Sequence, residues 1–160
     1  MTATSSLIGV ELGAADTSAE FTLGQMVENP SGACFIYAQA NGAIDQYDAC
    51  ILDEDGQAIV ASLTTSASAF GDRVGAAQAT LADNEYGWFQ VYGKGSVNVK
   101  ASAAANVVLN TTATDGHLDD DGGAGSEDVT GIILGTAKST AAGTSTDALF
   151  NWPTVGATST

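Results

Sequence analysis

Hydrophobic and polar residues alternate along this chain in short bursts, not in long helical stripes. Val97 and Val99 point one way while Ser96, Asn98 and Lys100 point the other. That period of two marks a half-buried antiparallel strand. Leu7–Leu12, Phe21–Val27, Ala33–Ala38, Ile44–Leu52 and Gln57–Leu63 read as further strands. Arg73–Leu81, Gly87–Tyr92, Asn106–Thr111, Val129–Lys138 and Ala148–Trp152 continue the series. Turn signals separate them. Asn29-Pro30-Ser31-Gly32 joins a preset proline φ to a glycine that accepts positive φ. Asn41-Gly42 is the best short hairpin signal, and Asp53–Gly56 predicts a second hairpin. Gly93-Lys94-Gly95 reads as a tight reversal, Thr64–Asp72 as a small-residue loop, and Ala101–Ala105 as either one helical turn or a loop.

Two regions break the pattern. Asp115–Asp128 has one large apolar residue in its run of Asp and Gly, too little burial to offset its ordering entropy, which predicts a flexible acidic loop. Ser139–Asp147 reads as a connector. The expected organisation is a polar arm over 1–6, one β-rich domain over 7–153 and a polar tail over 154–160. About ten short strands at close spacing predict a single all-β domain, an antiparallel barrel or sandwich.

Composition agrees with this. A chain of 160 residues with 19 glycines fits one core and few long helices. The formal charge of −15, with four Lys and Arg residues in total, excludes a phosphate-binding patch, so neither nucleic acid nor an anionic membrane is an expected partner. The N-terminal stretch lacks the basic and apolar regions of a signal peptide, which predicts synthesis in the cytoplasm. Cys34 and Cys50 match no CxxC or zinc spacing. They read as small buried hydrophobes, with a cross-strand disulfide as the alternative.

Candidate chemistry is thin. The acidic loop holds six carboxylates, but their spacing departs from the calcium-loop pattern, and no metal or other cofactor is expected. His117, the one histidine, lies in that same loop, a poor place for a preorganised triad. Gly93-x-Gly95 lacks the lysine and helix of a phosphate loop. Trp88 and Tyr92 share a strand face and read as core or interface residues, since aromatics are favoured in both. A sugar-stacking platform is the rival reading of that pair, and a hydrolase built on paired acids is a second rival. Trp152 and Pro153 near the end of the fold join Trp88 and Tyr92 as interface candidates.

Several segments resemble small structural proteins of tailed bacteriophages that decorate or cement the head. They are LGQMVENPSGACFIYAQANGAI (Leu23–Ile44), RVGAAQATLADNEYGWFQVYGKG (Arg73–Gly95), TDGHLD (Thr114–Asp119), GIILGTAKSTAAG (Gly131–Gly143) and NWP (Asn151–Pro153). YGWFQVYG is the most distinctive of these. The resemblance implies a β-rich, non-enzymatic virion protein that binds the outer capsid surface. Its implied partners are the major capsid protein and further copies of itself in a small symmetric oligomer such as a trimer. The arm Met1–Ser6 and the tail Asn151–Thr160 are candidate lattice contacts, because free ends order on binding.

Overall fold

A computed structural model describes residues 9–139 and 145–158. Its strands are β1 (Met26–Glu28), β2 (Cys34–Ala40), β3 (Ala49–Leu52), β4 (Gln57–Val60), β5 (Arg73–Ala77), β6 (Tyr86–Asn98), β7 (Leu109–Thr111), β8 (Leu118–Asp119), β9 (Glu127–Leu134) and β10 (Ser145–Thr158). One helical turn, α1 (Leu63–Ser66), is capped by the Ser62 hydroxyl, so the expected loop over 64–72 begins as a helix. The fold is all-β, as the alternation predicts.

The strands bond in the order β1-β2-β4-β3-β5-β6-β10-β9-β7-β8, and extra pairings join β2 to β6 and β5 to β10. The β2–β6 pairing closes a ring through β4, β3 and β5. Every pairing is antiparallel except β2–β4, which is parallel. That exception corrects the Asn41-Gly42 hairpin. Gly42 takes a φ of +104, yet β2 and β3 do not pair. Residues 41–48 instead carry the chain across the ring, pinned where Ile44 bridges Leu81. The Asp53–Gly56 turn does form: β3 and β4 are antiparallel neighbours, and Asp53 Oδ1 accepts from the Gln57 amide at 2.8 Å.

Burial explains the wealth of small residues. Ile36, Ala38, Cys50, Leu52, Ala58, Ala77, Phe89 and Val91 belong to one core cluster, drawn from all five strands of the ring. Ala49, Ile51, Val74 and Ala76 lie on the opposite faces of β3 and β5, against Val97, Leu109, Leu118, Ile132, Leu134 and Phe150. Strands covered on both faces read as continuous apolar runs. They also leave little room: a Cβ on Gly75 would lie 3.0 Å from Phe89 Cβ. Both cysteines are free, and burial pushes the Cys50 thiol well above its ordinary range.

Gly93 does not reverse the chain. β6 runs unbroken from Tyr86 to Asn98, and a bulge at Val91, just before the glycines, shifts its register against β2. Its first half pairs with β2 and its second with β10, and Tyr92 faces Cys34 on one side and Asn151 on the other. Gly93 has a φ of +90, and a Cβ there would meet Ala33 Cα at 2.9 Å. The buried Gln90 amide staples the bulge, donating to the carbonyls of Tyr92 (3.1 Å) and Lys94 (2.9 Å), and its side chain occupies the space a Cβ on Gly95 would need. Gly93→Ala is therefore expected to lower stability by about 2–4 kcal/mol, from left-handed strain plus overpacking. A urea midpoint unchanged from the parent would refute this reading of the bulge.

Other boundaries also shift. Residues 9–12 of the first expected strand form only an isolated bridge at Val10; 1–8, including the arm 1–6, lie outside the described residues. The expected strand at Phe21–Val27 shrinks to β1, since its side chains pack over β2 from a turn. Ala101–Ala105 is a loop. The acidic stretch is not a free loop: Leu118 is fully buried in β8, and Glu127 opens β9. The tail is not a tail either. β10 continues past Pro153 to Thr158, and Val155 is buried against β9. Part of the expected connector, 140–144, lies outside the described residues.

Candidate functional site

Two kinks face each other across neighbouring strands. In β10, Phe150 pairs with Ile132 and Thr154 with Thr130, so Asn151-Trp152-Pro153 stands opposite Gly131 alone. The extra residues form a bulge, a device that re-aims side chains. Trp152 takes a φ of +50, rare for so bulky a residue. Gly131, at φ +87, makes room: a Cβ there would come within 2.8 Å of the Asn151 carbonyl.

This bulge turns the Trp152 indole outward onto Tyr92, beside the β6 bulge. The rings stack with centroids 5.6 Å apart and planes 27° apart. Both remain about two-fifths exposed, Tyr92 at 41% and Trp152 at 40%. Next to them on the outward side of the sheet, Leu149 pairs with Lys94 on one side and Ile133 on the other. Leu149 is 53% exposed and Ile133 38%. The result is an aromatic-aliphatic face with one cation, on a protein of charge −15.

Of the four expected interface residues, the structure brings Tyr92 and Trp152 together and hides the other two. Trp88 is 1% exposed, packed between Phe21 (5.2 Å) and Tyr37 (5.0 Å), and Pro153 is buried in the bulge. Trp88 therefore offers no ring to a sugar, and the expected Trp88/Tyr92 platform does not form. Leu149 and Ile133 escaped the sequence reading. Their strands alternate in the usual way, but which face lies outward depends on the bulge at 151–153.

The remaining candidates do not assemble into a catalytic arrangement. His117 lies in a turn held by the Thr112 hydroxyl, and among the described residues no hydrogen bond engages its ring. The acids Glu11, Asp16 and Glu20 line an open cleft of about 420 Å³ above Phe21 and Trp88. Asp16 is committed to the Tyr37 hydroxyl at 2.7 Å, and burial, with Asp16 beside it, pushes that phenol up to about 12. Asp48, 5% exposed, accepts from Asn98 Nδ2 (2.9 Å) and the Asp45 amide (3.0 Å), bracing the chain where Gly116 passes over it.

The Asp48 and Asp72 carboxyls are both raised above their ordinary range. Burial is the main cause for each; at Asp48 the Asn98 and Asp45 amides and His117 oppose it while the Asp45 charge adds to it, and Glu54 and Asp53 add to it at Asp72. Arg73 lines the same cleft as Asp72. A folded-state pKa above the unfolded one means the folded chain holds the proton more tightly. Stability from these groups is complete below the unfolded value of about 4 and is lost as pH rises through the folded values. The melting temperature is expected to fall as pH rises from about 4 through the folded values, and Asp48→Asn to flatten that slope. A melting temperature that climbs over this interval at constant ionic strength contradicts it.

Among the described residues, no helix is long and apolar enough to cross a membrane. No family model and no curated protein matches the sequence.

Proposed function

We propose that this chain is a structural protein of a phage head, a decoration or cement protein that docks on the outer capsid surface through the Tyr92–Trp152 face. The observation that carries the reading is that stacked pair, displayed by a bulge whose backbone is strained at Trp152. Strain of this kind persists where the surrounding structure enforces it, often at binding sites. Tyr and Trp are the residues most enriched among interface anchors. The resemblance carried by YGWFQVYG ends at Tyr92 and Gly93, and the NWP segment is the bulge itself, so both halves of the face fall within it.

A protein that binds only the assembled lattice stabilises that state by mass action. Many copies, each spanning neighbouring capsomers or joined in a symmetric oligomer, add avidity without new contacts. The test is cosedimentation of the purified chain with shells assembled from the major capsid protein of the same phage. Saturable binding at a fixed number of copies per capsomer is expected. Recovery of the protein wholly in the supernatant refutes the proposal, and quenching of Trp152 fluorescence by glycans instead favours a carbohydrate-binding module.

A further inference from the structure

We propose that Asp119, Asn110 and Asp128 form a binding site for a hard divalent cation of the calcium class, independent of the aromatic face. The three residues stand in one cross-strand row. Asn110 on β7 pairs with Asp119 on β8 and with Asp128 on β9. Residues directly opposite each other in a sheet share a face, with Cβ atoms roughly 4.5–5.5 Å apart. The alternate positions of the three strands, Leu109 opposite Val129 and Thr111 opposite Leu118, are buried, Leu109, Val129 and Leu118 in the core, so the Asp-Asn-Asp row occupies the other face.

The decisive atom is Asn110 Oδ1. Asn110 is 5% exposed, and among the described residues this buried oxygen has no hydrogen-bond partner. Such an orphan costs about 1–3 kcal/mol unless something satisfies it. Its two cross-strand neighbours cannot do so, because ionised carboxylates only accept. Three acceptors stand in a row, one of them buried, and among the described residues no cationic side chain joins them. The Asp120 amide occupies Asp119 Oδ1 at 2.9 Å, and among the described residues no hydrogen bond engages the Asp128 carboxylate. Gly156 lies beside Asp128, so close that a Cβ there would be 3.2 Å from Asp128 Cβ, and the glycine leaves that flank open. Burial first, then the charges of Asp120 and Asp121, push the Asp119 carboxyl above its ordinary range, and a bound cation relieves both effects.

The donor set also indicates affinity and choice of ion. Among the described residues no three His, Cys, Asp or Glu side chains converge on one point. Two carboxylates and an amide oxygen must therefore be completed by water. So few charged ligands place the dissociation constant at about 10⁻⁴–10⁻³ M, the range of extracellular calcium modules. Ligands spread over three strands suit calcium's loose geometry better than the tight octahedron of magnesium.

The test uses the full chain stripped with a chelator, then melted in CaCl₂, in MgCl₂ and in NaCl at matched ionic strength. About 10 mM CaCl₂ is expected to raise the melting temperature saturably by about 3–6 °C beyond the NaCl control. Asp119→Asn and Asp128→Asn each abolish the calcium increment, whereas Asp147→Asn, on an exposed position of β10, retains it. In ¹⁵N-labelled parent protein the Asn110 side-chain amide signal shifts along the same titration, which needs no variant to fold. An equal rise in all three salts and all four proteins is charge screening, and it overturns the site. So does an Asn110 signal that calcium leaves in place, the result expected if a buried water satisfies Oδ1.

Discussion

Trp152→Gly is expected to abolish shell binding and leave the fold standing. The substitution deletes the indole at a position where the backbone already sits at φ +50, a conformation glycine adopts freely. Relief of that strain is worth about 1–2 kcal/mol. Against it stand the lost stacking on Tyr92, about 0.5–1.5 kcal/mol, and the lost burial of the covered part of the ring. With only 40% of the side chain exposed, the lost burial is the largest of these terms, so a net loss of about 1–3 kcal/mol is expected, short of unfolding. Binding is a different matter. Truncating an aromatic anchor typically costs 2 kcal/mol or more, about 30-fold in affinity per contact, and avidity multiplies that loss across a lattice. Tyr92→Ala is expected to match it, because each ring holds the other in place. A cosedimentation isotherm for Trp152→Gly that overlays the parent's would remove the aromatic face from the proposed function. A large drop in stability would show instead that the indole serves the fold.

That opposition of stability and binding also explains which parts of the molecule were legible in the sequence. Strand character was legible because alternation is local: Val97 and Val99 are buried as their period of two requires. The Asp53–Gly56 turn was legible for the same reason. Asn41-Gly42 misled because its local geometry is right while its partner is not; Gly42 adopts positive φ, but β2 finds β4 and β6 before β3. Glycine was the main source of error. Gly93 looks like a turn residue in sequence but lies beside a bulge within a continuous strand, while Gly131, expected inside a strand, stands opposite one. Whether a positive-φ glycine ends a strand or bends it depends on what lies across the sheet, here Ala33 and Asn151, each remote in sequence. The site suffered most from this. Trp88 and Tyr92 are four apart on one strand and were assigned one fate, yet Trp88 is covered by residues 10–27 while Tyr92 emerges at the bulge. The acidic stretch misled in the other direction. Its composition hides Leu118, the large apolar residue that anchors it, and gives no sign of Asn110, whose register brings two of its aspartates together.

Trp88→Ala is expected to do the reverse of Trp152→Gly. Trp88 is the centre of an aromatic cluster with Phe21 and Tyr37, whose own rings meet edge-on at 5.2 Å. Val10, Leu12, Phe21 and Leu23 pack on the cluster. The chain from Gly9 to Gln25 has no strand of its own. It is held by these side chains, by a backbone pair between Asp16 and Tyr86 (2.9 and 2.8 Å), and by four links to Tyr37: its hydroxyl to Asp16 (2.7 Å), the Glu20 amide to that hydroxyl (3.2 Å), the Gly24 amide to its carbonyl (2.8 Å) and its own amide to the Gln25 carbonyl (3.0 Å). A buried Trp→Ala change typically costs 3–5 kcal/mol. Part of that loss here is local, because a segment with few backbone bonds opens at lower free energy than the sheet beneath it. Limited proteolysis is therefore expected to cut Trp88→Ala within residues 9–25 under conditions where the parent and Trp152→Gly stay intact. Fluorescence separates the two tryptophans independently: Trp152→Gly retains only the buried Trp88, so its emission moves to the blue and resists acrylamide, and Trp88→Ala shows the opposite. If both single-tryptophan proteins quench alike, the assignment of one ring to the core and the other to the surface is wrong, and the docking face falls with it.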